Sequence, residues 1–144
     1  MNMHTAARLF LLSYPGIYEK VNQRIFWLKK PEGMKETHIY FFRVSNPKNS
    51  RINSYSPRFQ FSVFSQSGSE ALELAGLIEK AFDRFKGTMG DDIELTLLGQ
   101  TSYYAGNGKP IKQAVYENTQ EFYEEDTGLY HVPVDVIFHY VEEN

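Results

Sequence analysis

The segment from residue 56 to residue 87, SPRFQFSVFSQSGSEALELAGLIEKAFDRFKG, decides the fold class of this chain more than any other part of it. Its first half places Phe59, Phe61 and Val63 on alternate positions, with polar residues between them. A period of two is typical of a strand with one buried face. Phe64 interrupts the polar face, so that face is expected to be partly covered as well.

A helix is predicted directly after this strand. Ser67 is followed three positions later by Glu70, a spacing that lets a hydroxyl and a carboxylate bond the free N–H groups of a helix N-terminus. Apolar residues then recur at intervals of three and four: Ala71, Leu74, Ala75, Ile78, Ala81, Phe82 and Phe85. This spacing predicts a surface helix with one buried stripe, and Gly87 stands where such a helix is expected to stop.

The flanking segments predict a second helical region and several more strands. Helical composition covers residues 4–12 and 17–23, and strands are expected at residues 24–28, 37–44, 93–104, 113–123 and 129–141. Turn-forming residues dominate 29–33, 45–57, 88–92, 105–110 and 124–128. The fold class is therefore α+β: a mainly antiparallel sheet of about five or six strands, with one long helix and a shorter N-terminal helical region packed on one face. A mostly β class is the alternative.

One core is expected to join these elements. It combines the apolar faces of the first quoted strand, the long helix and the last strand: Phe59, Phe61, Val63, Leu74, Ile78, Phe82, Val134, Val136 and Phe138. At 144 residues the chain is long enough for a single domain that buries roughly 70% of the surface exposed by its unfolded chain. The 10 Tyr and 11 Phe are many for this length, which favours strands and also interfaces between subunits.

Catalytic and metal-binding chemistry finds little support in the sequence. The chain has no cysteine, which excludes thiol catalysis, disulfides and Cys-ligated metals. His131 and His139 share a face of the last strand but lie roughly 26 Å apart at ~3.3 Å per residue, too far to share a metal ion. The segment 103–110, YYAGNGKP, lacks the spacing of a phosphate-binding loop and is better explained as a hairpin tip. We therefore expect no enzymatic activity, no metal and no organic cofactor.

The quoted segment also resembles the tail-completion (tail-terminator) family of long-tailed bacteriophages. The resemblance is carried by Pro57-Arg58 before a strand that ends in Phe64-Ser65, then a polar turn and a helix of the form E-A-x-x-L-A-x-x-I-x-x-A from Glu70 to Ala81. It extends to residues 17–28, 39–45 and 129–141, which resemble the family's first helix and strand, second strand and closing strand. Residues 103–112 depart from the family pattern as an extra glycine-containing segment.

The resemblance implies a virion structural protein. It would form a single tail-terminator-like domain over residues 1–144 and cap the tail tube. In that family the subunits form a closed ring, expected to be a hexamer, that ends tube polymerisation and meets the head connector or stopper protein. DNA passes through the ring without specific binding, which agrees with the net charge of −3. The expected location is the head-proximal end of the tail in the virion, after assembly in the host cytoplasm.

Two groups of residues are predicted to serve such a ring. Arg51, Tyr55 and Arg58 belong to a basic segment without acids, and Tyr and Arg are common interface anchors; the alternative is a mobile solvated loop. The second group is expected to line the DNA channel with negative charge: Glu121, Glu124, Glu125 and Asp126. The alternative for these acids, and for the pair Asp91-Asp92, is an outward position where they only aid solubility.

Two other classes of function remain open at this point. A small α+β ligand-binding or regulatory domain without catalytic activity would show a closed apolar pocket among the aromatic residues. An enzyme with dispersed catalytic residues would show a histidine and a carboxylate converging in a cleft. No segment reaches the ~20 consecutive apolar residues of a membrane span, and the first residues lack the long apolar core of a secretory signal, so we expect them to start a helix.

Overall fold

The computed structural model describes residues 1–97 and 100–142, and within residues 91–107 it describes the strands alone. The helices are α1 (Met3–Ser13), α2 (Ile17–Val21) and α3 (Gly68–Phe82). The strands are β1 (Ile25–Trp27), β2 (His38–Ser45), β3 (Lys48–Asn49), β4 (Ser54–Tyr55), β5 (Arg58–Ser65), β6 (Gly87–Leu97), β7 (Gln100–Ile111), β8 (Gln113–Thr119), β9 (Phe122–Glu124) and β10 (Leu129–Val141). The α+β class is confirmed.

Strand β10 lies at the centre of the main sheet. It pairs with β5 and β4 along one side and with β8 and β9 along the other, always antiparallel. Beyond β5 the sheet continues through β2 to β1, and β1 is parallel to β2. Within the described residues this sheet has eight strands, more than the five or six predicted. The strand expected at residues 113–123 divides into β8 and β9, and the segment expected to be a loop contributes β3 and β4. Strands β6 and β7 form a separate two-stranded sheet.

The predicted core is confirmed. All nine of the predicted residues lie in one buried cluster, and none exposes more than 2% of its surface. The ring of Phe82, on α3, lies 4.9 Å from that of Phe61 on β5 and 5.2 Å from that of Phe138 on β10. Phe10 of α1 adds a fourth ring 5.4 Å from Phe82. The helices therefore cover the sheet face that carries the alternating phenylalanines and valines.

The long helix begins as predicted but ends earlier. Ser67 caps it by accepting a hydrogen bond from the Glu70 amide, whereas the Glu70 carboxylate accepts one from Thr37 instead of closing the capping box. The helix stops at Phe82, not at Gly87, because the backbone of residues 84–85 bonds Ala114 at the start of β8. Gly87 opens β6. Hydrogen bonds to β8 thus end the helix, although the apolar spacing of the sequence continues to Phe85.

The predictions for residues 88–112 were wrong in detail. The expected turn at residues 88–92 is part of β6, and the expected glycine loop at residues 105–110 is part of β7. Local turn signals misled here because the two strands pair with a register shift between Asp91 and Ile93. Glycine and aspartate inside a strand are typical of such irregular pairing as well as of turns. The side chains of the pair Asp91-Asp92 lie outside the described residues.

A glycine sets the close approach of α1 to the β6–β7 hairpin. Gly90 has a φ of +77°, and a Cβ built on it would lie 2.8 Å from the Cα of Ala6 in α1. A side chain is therefore excluded both by the backbone conformation and by the space available. Met89 beside it is fully buried, so α1 packs directly on the base of the hairpin.

Pro133 lies opposite Ser62 of β5, but on its other side the pairing of β10 is interrupted between β8 and β9, as its missing N–H predicts. Its carbonyl accepts a hydrogen bond from the amide of Gln120, which lies between β8 and β9. The N–H and C=O of a strand residue point to the same side, so the proline nitrogen also points to this gap between the two neighbouring strands. The register shift between Asp135 and Val136 lies next to it.

The segment between β2 and β5, predicted as a loop over residues 45–57, contains a short hairpin. Strands β3 and β4 pair with each other, and β4 also pairs with the end of β10 through Tyr55 opposite Tyr140. Turn-forming residues dominate this segment of the sequence. Two residues in each of β3 and β4 nevertheless suffice for strand pairing, because the end of β10 offers β4 an edge with which to pair. No helix among the described residues is both long and apolar enough to span a membrane.

Candidate functional site

The sheet face without helices carries a row of aromatic rings that crosses four strands. It consists of His38 on β2, Phe64 on β5, His131 on β10 and Phe122 on β9, and we call it the aromatic row. Strand register places them opposite one another. The His38 and Phe64 rings stack at 5.0 Å, Phe64 and His131 at 4.4 Å, and His131 and Phe122 approach to 5.9 Å. Phe64 is buried, so this face is covered as its interruption of the polar pattern predicted.

Lys30 covers one end of the aromatic row. Its ammonium nitrogen lies 3.6 Å from the centre of the Phe64 ring and 3.2 Å from Nε2 of His38. An ammonium group only donates, so His38 accepts at Nε2 and donates from Nδ1 to the Glu36 carbonyl at 2.8 Å. That arrangement requires a neutral imidazole. Burial lowers the pKa of Lys30 as well, and nearby Glu124 opposes that shift.

Both histidines of the aromatic row have lowered pKa values. For His38 the largest cause is burial, which disfavours the charged imidazolium. For His131 burial again lowers the pKa and outweighs the opposite influence of the Glu124 carboxylate. Glu124 Oε2 lies 3.8 Å from His131 Nδ1, beyond hydrogen-bond distance, while His131 Nε2 is buried and has no partner among the described residues. Burial in the aromatic row thus favours the uncharged form of both histidines.

The stability of the protein is expected to fall at mildly acidic pH. The unfolded chain binds protons at its histidines near the ordinary value of 6.5, whereas the folded state resists them at His38 and His131. The unfolding free energy should therefore be constant in this respect above pH 6.5 and decrease as the pH drops toward the lowered pKa values. Thermal melting from pH 7.5 to pH 5 measures this.

A double variant, His38→Phe/His131→Phe, serves as the control for this pH dependence. It keeps two aromatic rings in the row but has nothing to protonate there. Its melting temperature should decline less than that of the unmodified chain over the same pH range. Parallel pH profiles for the two proteins would contradict the assignment to these histidines.

The three residues predicted for an assembly interface lie at one end of β10 but have different surroundings. Arg51 is exposed between β3 and β4. Tyr55 stacks on Tyr140 within the same chain at 5.4 Å, and Arg58 reaches the Asp135 carboxylate at 3.7 Å. Arg51 is therefore available to a partner, whereas Tyr55 and Arg58 already have contacts inside the subunit.

The four acids predicted for a DNA channel lie at the other end of β10. Glu125 and Asp126 are exposed in the turn between β9 and β10. Glu124 ends β9, is half-buried and accepts a hydrogen bond from Thr127 at 3.1 Å. Glu121 is exposed just before β9. The tip of negative charge thus consists of Glu125 and Asp126, with Glu124 turned back toward the aromatic row.

An exposed apolar groove lies beside this acidic turn, between the start of α3 and the β9–β10 hairpin. Its cavity of about 290 Å³ is lined by Gly68, Leu72, Glu121, Phe122, Tyr123, Tyr130 and Val132. Leu72, Phe122 and Tyr123 each expose about half of their surface. The rings of Tyr123 and Tyr130 pack at 4.9 Å, and a Cβ on Gly68 would come within 3.1 Å of Tyr130. We call this the tyrosine groove.

A second cavity, of about 480 Å³, lies beside the start of α1. His4 and Trp27 stack in parallel at its wall with their rings 3.6 Å apart. Its lining also holds the ion pair between Lys109 and Glu142, at 3.0 Å, and the exposed side chain of Leu28. This cavity is lined by mixed charged and aromatic groups, so it is not the closed apolar pocket that a ligand-binding domain would show.

Sequence reasoning missed the aromatic row and the tyrosine groove. His38 had no partner in the sequence, and Phe64 showed only that the outer face is partly covered. The rings of His38, Phe64 and His131 come together because β2, β5 and β10 pair at one particular register, which no local pattern reveals. The available signal was a histidine in each of two predicted strands: His38 is out of phase with Ile39 and Phe41, and His131 is out of phase with the valines of its strand.

The His131–Glu124 pair does not form a catalytic site. His131 lies between two phenylalanine rings, and its Nε2 is buried, so that nitrogen does not open onto a cleft where a substrate could reach it. Among the described residues no group of three or more His, Asp or Glu is placed to hold a metal ion.

Comparison with known proteins finds a shared fold. No protein-family model matches the chain, and no curated protein matches it. A chain in a solved structure described as the virion of a native gene transfer agent (GTA) particle is similar in fold, with a TM-score of 0.64. The two chains are 10% identical, and the match covers 95% of this chain and 92% of the other. At this identity the likeness concerns the fold alone.

Proposed function

We propose that this chain is a virion structural protein that caps the tail tube of a phage-like particle. The observation that carries the proposal is the shared fold, which covers 95% of this chain, with a chain of a GTA virion. The sequence resemblance to tail-terminator proteins, located in the strand and helix of residues 57–81, points to the same class independently. A fold by itself does not define a function, so we infer the role of this chain within the tail from its exposed surfaces.

In this proposal the subunits form a closed ring, a hexamer, at the head-proximal end of the tail. One face of the ring contacts the tail tube protein and ends its polymerisation, and the other contacts the head connector or stopper protein. A closed ring needs two different surfaces on each subunit. The basic tip at Arg51 and the tyrosine groove, at opposite ends of β10, offer such a pair of different surfaces.

DNA passes through the ring without specific binding. We propose that Glu125 and Asp126, at the exposed tip of the β9–β10 turn, face this path, with Glu124 behind them. Negative charge beside the path repels phosphates and prevents the duplex from adhering during passage. Screening limits this effect to about 8–10 Å at physiological salt, so only a projecting tip can exert it.

The function is tested by adding the purified protein to the tail tube protein of the same virion while the tube polymerises. A terminator binds one end of each tube and stops its growth, so the mean tube length seen by electron microscopy should fall as the ratio of added protein rises. Native mass spectrometry of the capped ends should give six copies of the 16.7 kDa chain. Tubes of unchanged length would contradict the proposal and leave a ligand-binding or regulatory domain as the alternative.

A further inference from the structure

We propose that the tip of the β3–β4 hairpin of one subunit inserts into the tyrosine groove of a second copy of this chain. The tip is the exposed pair Arg51-Ile52, and Ile52 exposes 60% of its surface. The inference deepens the proposed function, on which it rests, because it names the surfaces through which neighbouring subunits of the ring touch.

The tip carries both an apolar side chain and positive charge. Covering the exposed side chain of Ile52 would remove apolar surface from water, which is favourable. Lys48 and Arg51 lie on the same hairpin and the segment 45–58 has no acid, so the tip combines an apolar side chain with positive charge. The Arg51 amide bonds the Asn49 side chain at 3.1 Å, which holds the turn in shape before any partner arrives.

The tyrosine groove has the chemistry that complements this tip. Leu72, Tyr123 and Tyr130 supply an apolar wall, and Glu121 lines the same cavity. Glu125 and Asp126 follow in the adjacent turn, so the surroundings of the groove are negative where the tip is positive. Charge complementarity of this kind selects the partner and fixes its register. In this arrangement Glu121 serves the subunit contact, not the DNA path.

The tip and the groove lie at opposite ends of β10. The tip is tied to the end of β10, since Tyr55 pairs with Tyr140 and the Asn53 carbonyl accepts from the Glu142 amide. The groove lies at the other end, around Tyr130. β10 spans Leu129–Val141, which at ~3.3 Å per residue separates the two surfaces by about 40 Å. They cannot meet within one subunit, and two different surfaces that pair between subunits build a ring or a filament.

The absence of cysteine allows a direct test by disulfide formation. Ile52→Cys and Leu72→Cys are prepared as separate variants, mixed and oxidised, alone and in the presence of tail tubes. A disulfide requires the two Cα atoms to approach within about 7 Å, so the mixed product forms only if tip and groove meet. We expect the mixed dimer to dominate, and the double variant to give a ladder of higher multiples. The matched control pairs Leu72→Cys with Val44→Cys, another exposed aliphatic position.

Charge exchange gives a second, independent measurement. In the proposed contact the Arg51 guanidinium of one subunit faces the Glu121 carboxylate of the next. Arg51→Glu or Glu121→Arg alone should therefore weaken self-association about tenfold, and the two together should restore most of it because opposite charges face each other again. Symmetric Ile52→Cys dimers alone, no mixed product with or without tubes, or equal product from the Val44 control would overturn the proposal.

The outcomes distinguish this inference from the proposed function. If the mixed disulfide forms but the unmodified protein leaves tube length unchanged, the subunit contact stands and the tail function fails. If the unmodified protein shortens tubes but no mixed disulfide forms, the tail function stands and the contact proposed here is wrong.

Discussion

Phe82→Ala should cost about 3–5 kcal/mol of the free energy of unfolding, the largest stability effect that we expect from a single substitution in this chain. Phe82 is fully buried at the end of α3, where its ring meets those of Phe10, Phe61 and Phe138 at 4.9–5.4 Å. Truncation removes both the transfer free energy of the ring and its contacts, and it leaves a cavity at the junction of helix and sheet. For a domain of this size the melting temperature should fall by about 10–15 °C.

Denaturant titration at constant pH measures this loss. Lys80→Ala is the matched control, since it also shortens a long side chain near the end of α3 but at an exposed position. It should change the unfolding free energy by less than about 0.5 kcal/mol. A loss below about 1 kcal/mol for Phe82→Ala would mean that the helix does not pack on the sheet through this ring.

Glu125→Lys/Asp126→Lys should allow tails to assemble but should block or strongly slow DNA ejection. The substitution converts a repelling tip into one that binds phosphates, and every subunit of a ring would present it. Infectivity and ejection rate, measured on virions that carry the variant, report the effect. Full ejection at the normal rate would place this turn away from the DNA path.

Salt dependence identifies the cause of such a block. Binding through six to ten phosphate contacts weakens by about 10³- to 10⁵-fold between ~50 and ~200 mM salt, so the block should be relieved as the salt concentration rises. Glu73→Lys/Glu117→Lys is the matched control: it makes the same change in net charge at exposed positions on α3 and β8. A block that persists at high salt, or that the control shares, would indicate a structural defect and not phosphate binding.

The limits of sequence reasoning are clearest in the β6–β7 hairpin and at the end of α3. Gly90 and the glycines of residues 105–110 carry turn signals, yet they lie in strands, because pairing across the hairpin satisfies their backbone groups better than a local turn does. Phe85 continues the apolar stripe of α3, yet the helix ends at Phe82, since the next residues bond the backbone of β8. In both places hydrogen bonds between residues distant in the sequence outweighed the structure that the local pattern favours.

The sequence by itself determined the α+β class, the start of the long helix at Ser67 and the whole predicted core. Apolar periodicity and a capping hydroxyl act within a few residues, so they can be read from one segment alone. The aromatic row around Phe64, the tyrosine groove and the separation of that groove from Arg51 were decided only by tertiary structure. They depend on which strands pair and at which register, and a shift of one residue would turn His38 and His131 to the other face of the sheet.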